Sequence, residues 1–322
     1  MEVLGFSFNA IAPLLFAVAL GWFMAWHRDM SERDVGVLNK LCFRYLLSLH
    51  IFNSTLSIDY YAEFKLRLLL FTALCICAIT ILAWLIFTIT VKEPERRCIF
   101  IVSAYRSNNI IYALPLAANL FGESGTKAAA MLVPITIILF NFLTVITMVY
   151  HSQRLNRQTE GSSLAGALRR TALDIGKNPL IIGSVLGILF SVCHIDLPVF
   201  LSNGIRSVAL TSTPLSLVLL GAQIDLKKLA HNIGPVLAAC MVRLVLVPGM
   251  VLPIIIGMGF RGPELGALAV VFGAPCAVGN LIMARNYKLD PAFAAQIVYL
   301  STVLSMLTMF GIISVLRALD LF

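Results

Sequence analysis

The sequence predicts an all-α membrane protein with ten transmembrane helices, arranged as an inverted repeat of five plus five. Its 322 residues are 59% hydrophobic and only 12% charged, and the mean hydropathy is +0.92. About a quarter of the residues of a soluble domain are charged, so this composition excludes an ordinary soluble protein. Apolar segments of about twenty residues, enough to cross a bilayer, recur between short polar breaks.

Ten apolar segments define the predicted spans. They cover residues 6–26, 34–54, 66–91, 98–121, 126–150, 179–194, 198–222, 233–257, 263–284 and 292–316. Residues 1–150 form the first repeat, residues 151–178 a basic cytoplasmic linker and residues 179–322 the second repeat. The linker cations are Arg154, Arg157, Arg169, Arg170 and Lys177. We expect the linker to contain a short amphipathic helix on the membrane surface.

Basic residues are shared unequally between alternate loops. The odd-numbered breaks hold the five linker cations together with Arg28, Arg33, Lys92, Arg96, Arg97, Lys227, Lys228, Arg285 and Lys288. The remaining loops and the C-terminal end hold Lys65, Arg67, Lys127, Arg261 and Arg317. Because Lys and Arg mark cytoplasmic loops, both termini are predicted to be extracytoplasmic in a cell membrane, either plasma or inner membrane. The net charge of +8 therefore indicates orientation in a lipid bilayer and not a nucleic-acid partner.

The two halves of the chain also share a short sequence pattern. Residues 13–21 read PLLFAVALG and residues 179–187 read PLIIGSVLG, with proline, leucine and glycine at matching positions. Five helices per half give the halves opposite orientations. This is the arrangement of inverted-repeat secondary transporters.

The fourth span carries polar residues at its centre. Arg106, Ser107, Asn108 and Asn109 lie together there, and Pro115 follows them. Polar groups at this depth are costly, so they indicate a functional site. The guanidinium needs an anion or several carbonyls, which predicts either an anionic substrate or support for a helix break. The alternative is that Arg106 extends towards the cytoplasmic surface.

The ninth span, the repeat partner of the fourth, is interrupted in the same way. Pro275 lies near its middle and Asn280 follows. Interrupted helices in corresponding positions are the best sequence indication of a transporter binding site. Their exposed N-termini favour carboxylates, so we predict that Asn280 joins the span-four residues in binding a small organic anion. Hydrogen bonds between helices are the alternative role for the asparagines.

Other candidate residues are less specific. His50 is a candidate proton carrier, with a place near the outer interface of span two as the alternative. Arg206 and Arg243 also fall inside spans, and we interpret them mainly as structural. We predict no metal site, no cofactor and no enzyme activity, since neither a Walker A motif nor a catalytic constellation is present.

The motifs of the interrupted spans resemble those of a known family. Asn108 is followed seven residues later by Pro115, and then by the Leu120-Phe121-Gly122 run. Further motifs are Ala274-Pro275, Ala284-Arg285-Asn286-Tyr287, Asn178-Pro179-Leu180, Pro214 to Gly221 and Thr302 to Thr308. In order and spacing they are similar to the auxin efflux carrier family, which includes plant auxin carriers and bacterial malate and malonate permeases. The resemblance extends over essentially the whole chain.

The resemblance implies a fold and a function. Helices four and nine would be unwound and would cross at Pro115 and Pro275. Helices one, two, six and seven would form a scaffold that makes a homodimer, and helices three to five and eight to ten a transport domain that moves as an elevator. We therefore predict a secondary active transporter or permease of small organic anions such as malate or malonate, driven by protons or by the membrane potential alone. The alternatives are a receptor or scaffold without transport, and a transporter of another metabolite such as an amino acid or an auxin-like weak acid.

Overall fold

The computed structural model describes residues 2–61, 64–155, 164–224 and 233–322. Within these ranges the chain is helical apart from short connections and one isolated β-bridge, so the all-α fold class is confirmed. Arg157, Lys227 and Lys228, which contribute to the predicted orientation, lie outside the described residues.

Six α-helices form the described part of the first half. They are α1 (Glu2–Trp26), α2 (Glu32–Leu41), α3 (Leu47–Leu56), α4 (Leu66–Thr90), α5 (Pro94–Tyr105) and α6 (Leu114–Arg154). A π-helical turn at Cys42–Leu46 joins α2 to α3, and a second at Asn109–Ala113 leads into α6.

Eight α-helices form the described part of the second half. They are α7 (Leu164–Gly176), α8 (Pro179–Val192), α9 (Val199–Ala222), α10 (Ile233–Met241), α11 (Val247–Gly257), α12 (Gly262–Gly273), α13 (Gly279–Asn286) and α14 (Pro291–Ala318). A π-helical turn at Val242–Leu246 joins α10 to α11.

Local sequence signals explain where several of these helices begin. The Asn178 side chain accepts a hydrogen bond of 2.9 Å from the Leu180 amide at the start of α8. Asp290 does the same for the Phe293 amide at the start of α14, also at 2.9 Å. A proline follows each of these caps, at a position where a helix needs no N–H donor.

Seven helical stretches in the described ranges are long and apolar enough to cross a membrane. They are Val3–Trp26, Arg33–Leu56, Leu66–Thr90, Asn109–Arg154, Val199–Ala222, Ile233–Gly257 and Pro291–Ala318. The pair α7 and α8, bent by 53°, makes an eighth if it is taken as one span. The chain is therefore a multi-pass membrane protein, whereas the ten-helix inverted repeat stays a prediction.

The boundary predicted between spans four and five, at residues 122–125, coincides with a kink within α6. Gly122 is the one internal residue of α6 with non-helical dihedral angles, φ 59° and ψ −132°. This left-handed φ suits glycine, and a Cβ at Gly122 would meet no neighbour within 4 Å. The chain is thus redirected at the predicted boundary, by the backbone conformation of one glycine.

Two pairs of helices approach each other closely through glycine. A Cβ at Gly21 of α1 would clash with the Val218 carbonyl of α9, and a Cβ at Gly221 of α9 would clash with the Val18 carbonyl of α1. Small residues let membrane helices approach at the backbone, as the four-residue glycine spacing in α8 also predicts. In α8, Gly183 lies against the Ser48 carbonyl of α3.

Most of the helices fall into two groups by their contacts, and the groups touch where α1 packs on α14 and α6 and where α3 packs on α6. Helix α1 packs on α9, and α3 packs on α8 and α9. In the other group α4 packs on α5 and α6, α6 on α12, and α14 on α10 and α13. The candidate site lies where the two groups face each other.

The amphipathic helix expected in the linker is α7. Its buried residues Ala167 and Thr171 face the protein, and α7 packs on α6. Ala167 belongs to a small apolar cluster with Val145 and Val149 of α6, which Met283 of α13 also contacts. Thus α7 packs against other helices, whereas the sequence pattern indicated a helix on the membrane surface.

Candidate functional site

Two helices are broken in the middle of the molecule. Helix α5 ends at Tyr105, and the next helical turn begins at Asn109. Between them Arg106 is extended, with φ −87° and ψ 100°. In the second half, α12 ends at Gly273 and α13 begins only at Gly279. The interruptions predicted in spans four and nine are therefore both present.

The two unwound segments cross and bond to each other. Ser107 and Cys276 form an isolated antiparallel β-bridge. The Asn108 amide donates to the Pro275 carbonyl at 2.8 Å, and the Ala277 amide donates to the Arg106 carbonyl at 3.2 Å. Buried backbone groups need hydrogen-bond partners, and here each unwound segment supplies partners for some backbone groups of the other.

The two prolines occupy different positions relative to the breaks. Pro275 lies in its unwound segment, and its carbonyl accepts the Asn108 amide. Pro115 is the second residue of α6, and the break at residues 106–108 precedes it. The π-helical turn Asn109–Ala113 precedes Pro115 and changes the hydrogen-bond register there, so the proline is accommodated inside a continuous helix.

A cavity of about 440 Å³ lies beside the crossing segments. Four of the predicted binding residues line it: Arg106, Ser107, Asn108 and Asn109. The other polar residues that line it are Asn39, Lys40, Thr136, Asn141, Asn178, Ser216 and Gln223. These side chains come from both groups of helices, so the cavity lies between the groups.

Arg106 brings a positive charge to this cavity. Its Nη2 donates to the Asn141 Oδ1 at 3.3 Å, and its Nη1 contacts the sulfur of Met283. Gly279, the first residue of α13, lies so close that a Cβ there would be 2.9 Å from Nη2. Lys40, which is exposed, is the other cation, and no Asp or Glu is among the described residues that line the cavity.

Two asparagine amides in the cavity have unused donors. The Nδ2 atoms of Asn108 and Asn109 are buried and have no hydrogen-bond partner in the described part of the chain. The Asn109 Oδ1 is engaged, because Ser107 Oγ donates to it. A buried amide without a partner costs free energy, so these groups are suited to a bound acceptor such as a carboxylate.

The starts of two helices add partial positive charge. The π-helical turn that begins at Asn109 and helix α13 that begins at Gly279 both start at the cavity. The helix dipole is positive at this end, although the amides of Asn280 and Leu281 in α13 already donate to the Ala277 and Val278 carbonyls. The arrangement favours a negatively charged group between the two half-helices.

Two of the predicted residues are not brought into the cavity. Asn280 is buried, but it does not line the cavity, and neither its Oδ1 nor its Nδ2 has a partner among the described residues. His50 does not line the cavity either; its Nδ1 lies 3.1 Å from the Ala209 carbonyl. The geometry thus favours the four span-four residues over these two.

Several lining residues were not singled out from the sequence. Asn141, the hydrogen-bond partner of Arg106, comes from α6, and Gln223 follows α9. Asn141 is a lone polar residue within the apolar Phe140-Asn141-Phe142 run, a signal that could have identified it. The apolar walls include Phe43, Phe140 and Ile282.

Apolar helices of membrane-spanning length, two of them broken and crossed beside a polar cavity, define a membrane transporter. The sequence model described as "Membrane transport protein" matches residues 6–313. The chain belongs to this family of membrane transporters, which is the auxin efflux carrier family that its motifs resemble.

Two archaeal relatives agree with this assignment. The chain is 23% identical over 308 residues to an uncharacterized transporter of Methanocaldococcus jannaschii, covering 93% of this chain and 95% of the relative. It is 22% identical over 311 residues to an uncharacterized transporter of Methanothermobacter thermautotrophicus, covering 94% and 96% respectively. Both similarities extend over almost the whole of each protein.

Proposed function

We propose that the protein is a secondary active transporter or permease of small organic anions, with carboxylates such as malate or malonate as its substrates. The observation that carries this proposal is the charge of the cavity. Arg106 and Lys40 line it, and none of its described lining residues is acidic. A buried guanidinium in a membrane needs an anion or several carbonyls. Arg106 donates to Asn141 Oδ1 and contacts the Met283 sulfur, so a carboxylate would fit its remaining planar donors.

The neighbouring groups suit the same ligand. A carboxylate near Arg106 would accept hydrogen bonds from Asn108 Nδ2 and Asn109 Nδ2, the two amide donors without partners in the described residues. The first-turn amides at Asn109 and Gly279 add partial positive charge. Binding therefore requires no metal ion and no negatively charged side chain.

The mechanism that we propose is alternating access of the elevator type. The group containing α5, α6, α12 and α13 carries the crossing segments, and the group containing α1, α3, α8 and α9 would be the scaffold and the homodimer contact. Because the cavity lies between the two groups, movement of one past the other would expose it first to one side and then to the other.

The driving force follows from the charge of the substrate. In a cell membrane, moving one elementary charge through 100 mV corresponds to about 2.3 kcal/mol. An organic anion would therefore leave an inside-negative cell down the membrane potential without a coupling ion. Protons are the candidate coupling ion, and His50 is the histidine to test.

An amphipathic weak acid or an amino acid is the second candidate substrate. Phe43, Phe140 and Ile282 give the cavity apolar walls, and among the described lining residues Arg106 is the half-buried cation, whereas Lys40 is exposed. One cation beside apolar walls would suit a monocarboxylate with an apolar body. A comparison of malonate with such a monocarboxylate separates the two candidates.

Uptake by the purified protein in proteoliposomes tests the proposal. Labelled malate, malonate and an apolar monocarboxylate would be offered with an imposed potential, with a pH gradient and with neither. We expect saturable, potential-dependent uptake that Arg106→Gln and Asn108→Ala both reduce. Arg206→Gln is the matched control, since Arg206 is an exposed arginine of α9 outside the cavity lining.

If Arg106→Gln and Asn108→Ala leave every positive uptake unchanged, the crossover cavity is not the substrate site. If no carboxylate is taken up by the parent protein, a receptor or scaffold role becomes the better explanation. Flux that does not saturate and shows no counterflow would indicate a channel.

A further inference from the structure

Arg243 is buried among backbone carbonyls of both broken helices. Its side chain is 0% exposed. On the α12 side, Nε donates to the Ala274 carbonyl at 2.8 Å and Nη2 to the Val271 carbonyl at 3.0 Å. On the α5 side, Nη1 donates to the Ala104 carbonyl at 3.0 Å and to the Tyr105 carbonyl at 3.4 Å.

These carbonyls are groups that a helix end leaves without a partner. The last four carbonyls of an α-helix have no donor inside the helix, and here both ends lie inside the protein. The residues that carry these carbonyls are buried, so another protein group must supply the donors. The planar guanidinium carries donors in a fixed fork that can bond several carbonyls at once, whereas a lysine donates from a single nitrogen.

The charge of Arg243 is balanced by the same two helix ends. Each C-terminal end carries about −0.5 of an elementary charge, so two ends together offset roughly one guanidinium. The side-chain bonds that Arg243 makes to the described residues all go to carbonyls, and none goes to a carboxylate. The ends of α5 and α12 at Arg243 are negative, whereas the helix starts that face the cavity are positive.

We propose that Arg243 is a positioning residue that clamps α5 and α12 together at the crossing of the two broken helices. Arg243 also neutralises the negative ends of α5 and α12. These ends then do not offset the positive potential that the helix starts and Arg106 create in the cavity. The clamp rests on the observed contacts alone. The effect on anion binding rests on the proposed function.

A crosslink across the crossing segments measures the clamp without any substrate. Ser107 and Cys276 are partners in the β-bridge, and such partners have Cα atoms about 4.5–5.5 Å apart, within the range of a disulfide. Ser107→Cys should therefore crosslink to the native Cys276 under a membrane-permeant oxidant. A protease site inserted between residues 156 and 163 would allow the chain to be cut into two fragments, which a disulfide between residues 107 and 276 would hold together on a gel run without reductant. Cys276→Ala gives the background level of crosslinked fragments.

Arg243→Gln and Arg243→Lys would be combined with Ser107→Cys, with Arg206→Gln and Arg206→Lys as matched controls. We expect Arg243→Gln to lower the crosslink yield at least threefold and Arg243→Lys to give an intermediate yield. If both variants crosslink like their controls, the clamp is wrong. If Arg243→Gln does not elute as a folded protein, Arg243→Lys decides, and a yield equal to that of Arg206→Lys overturns the proposal.

Malonate uptake tests the electrostatic effect separately, with position 107 left native. We expect Arg243→Gln to raise the KM for malonate about tenfold with a smaller change in maximal rate, and Arg243→Lys to restore most of the affinity. A lower crosslink yield with an unchanged KM would retain the clamp and reject the neutralisation. If the parent protein takes up none of the carboxylates, the proposed function fails and the neutralisation with it, while the crosslink still decides the clamp.

Discussion

Asn108 and Pro275 are joined by a backbone hydrogen bond of 2.8 Å between two different broken helices. The bond places the start of one half-helix beside the unwound segment of the other. Side chains near this bond, above all Arg106, face one cavity.

Replacing Arg106 should weaken anion binding more than folding. A hydrogen bond to a charged group contributes about 1.5–3 kcal/mol, so Arg106→Gln should raise the KM for a transported carboxylate roughly tenfold to hundredfold. Arg106→Lys keeps the charge but not the planar set of donors, so its KM should lie between those of the parent protein and Arg106→Gln. Uptake kinetics in proteoliposomes provide the measurement. Equal KM values for Arg106→Gln and Arg206→Gln would contradict the prediction.

Gly279→Ala should weaken anion binding by shifting the Arg106 side chain. A Cβ at Gly279 would lie 2.9 Å from Arg106 Nη2, the end of a flexible side chain that can move away. Folding should therefore be nearly unchanged. The new methyl group should displace the guanidinium at a cost of about 1 kcal/mol, which would raise the KM for the transported carboxylate roughly fivefold. Gly311→Ala is the control, because a Cβ at that glycine of α14 has no neighbour within 4 Å. A KM unchanged from the parent protein would show that Gly279 does not position Arg106.

Alanine at Gly21 or Gly221 should destabilise the protein, because each faces a backbone carbonyl that cannot move without separating α1 from α9. Overpacking of this kind costs about 1–3 kcal/mol. Thermal unfolding in detergent should show a lower Tm for both variants. Gly5→Ala in α1 and Gly204→Ala in α9, where a Cβ meets no neighbour, should leave the Tm unchanged. The prediction fails if the four variants unfold together.

The predicted orientation can be tested with a native thiol. Cys193 is exposed between α8 and α9, in a loop that the basic-residue asymmetry places outside the cell. A membrane-impermeant maleimide should label it in intact cells, and Cys193→Ser should remove the label. Asp29→Cys in the Cys193→Ser background should react only after the cells are permeabilised. The reverse pattern would invert the topology.

The apolar segments were enough to predict where most of the helices lie, because the bilayer sets their length. In the structure Pro179 and Pro291 stand at the starts of α8 and α14. The interruptions of spans four and nine were also predicted. Apolar spans and their polar interruptions can be read from neighbouring residues alone, because each residue either suits a helix in lipid or disrupts it.

Features that depend on distant partners could not be predicted. Nothing near Arg243 in the sequence indicates that it bonds carbonyls of two other helices, and nothing near Asn280 indicates that it lies outside the cavity lining. The position of the break before Pro115 depends on a π-helical turn, which shifts the register without changing hydropathy. A residue's polarity indicates that it needs a partner, but tertiary structure decides which one.

Helix α7 has a mechanical consequence for the proposed motion. It packs on α6, whereas α8 packs on α3, and only Lys177 and Asn178 connect the two helices at their 53° bend. This two-residue connection is therefore a short covalent linker between the two groups of helices. In an elevator its reach would limit the length of each stroke, so the distance that a substrate travels would be set partly outside the cavity that binds it.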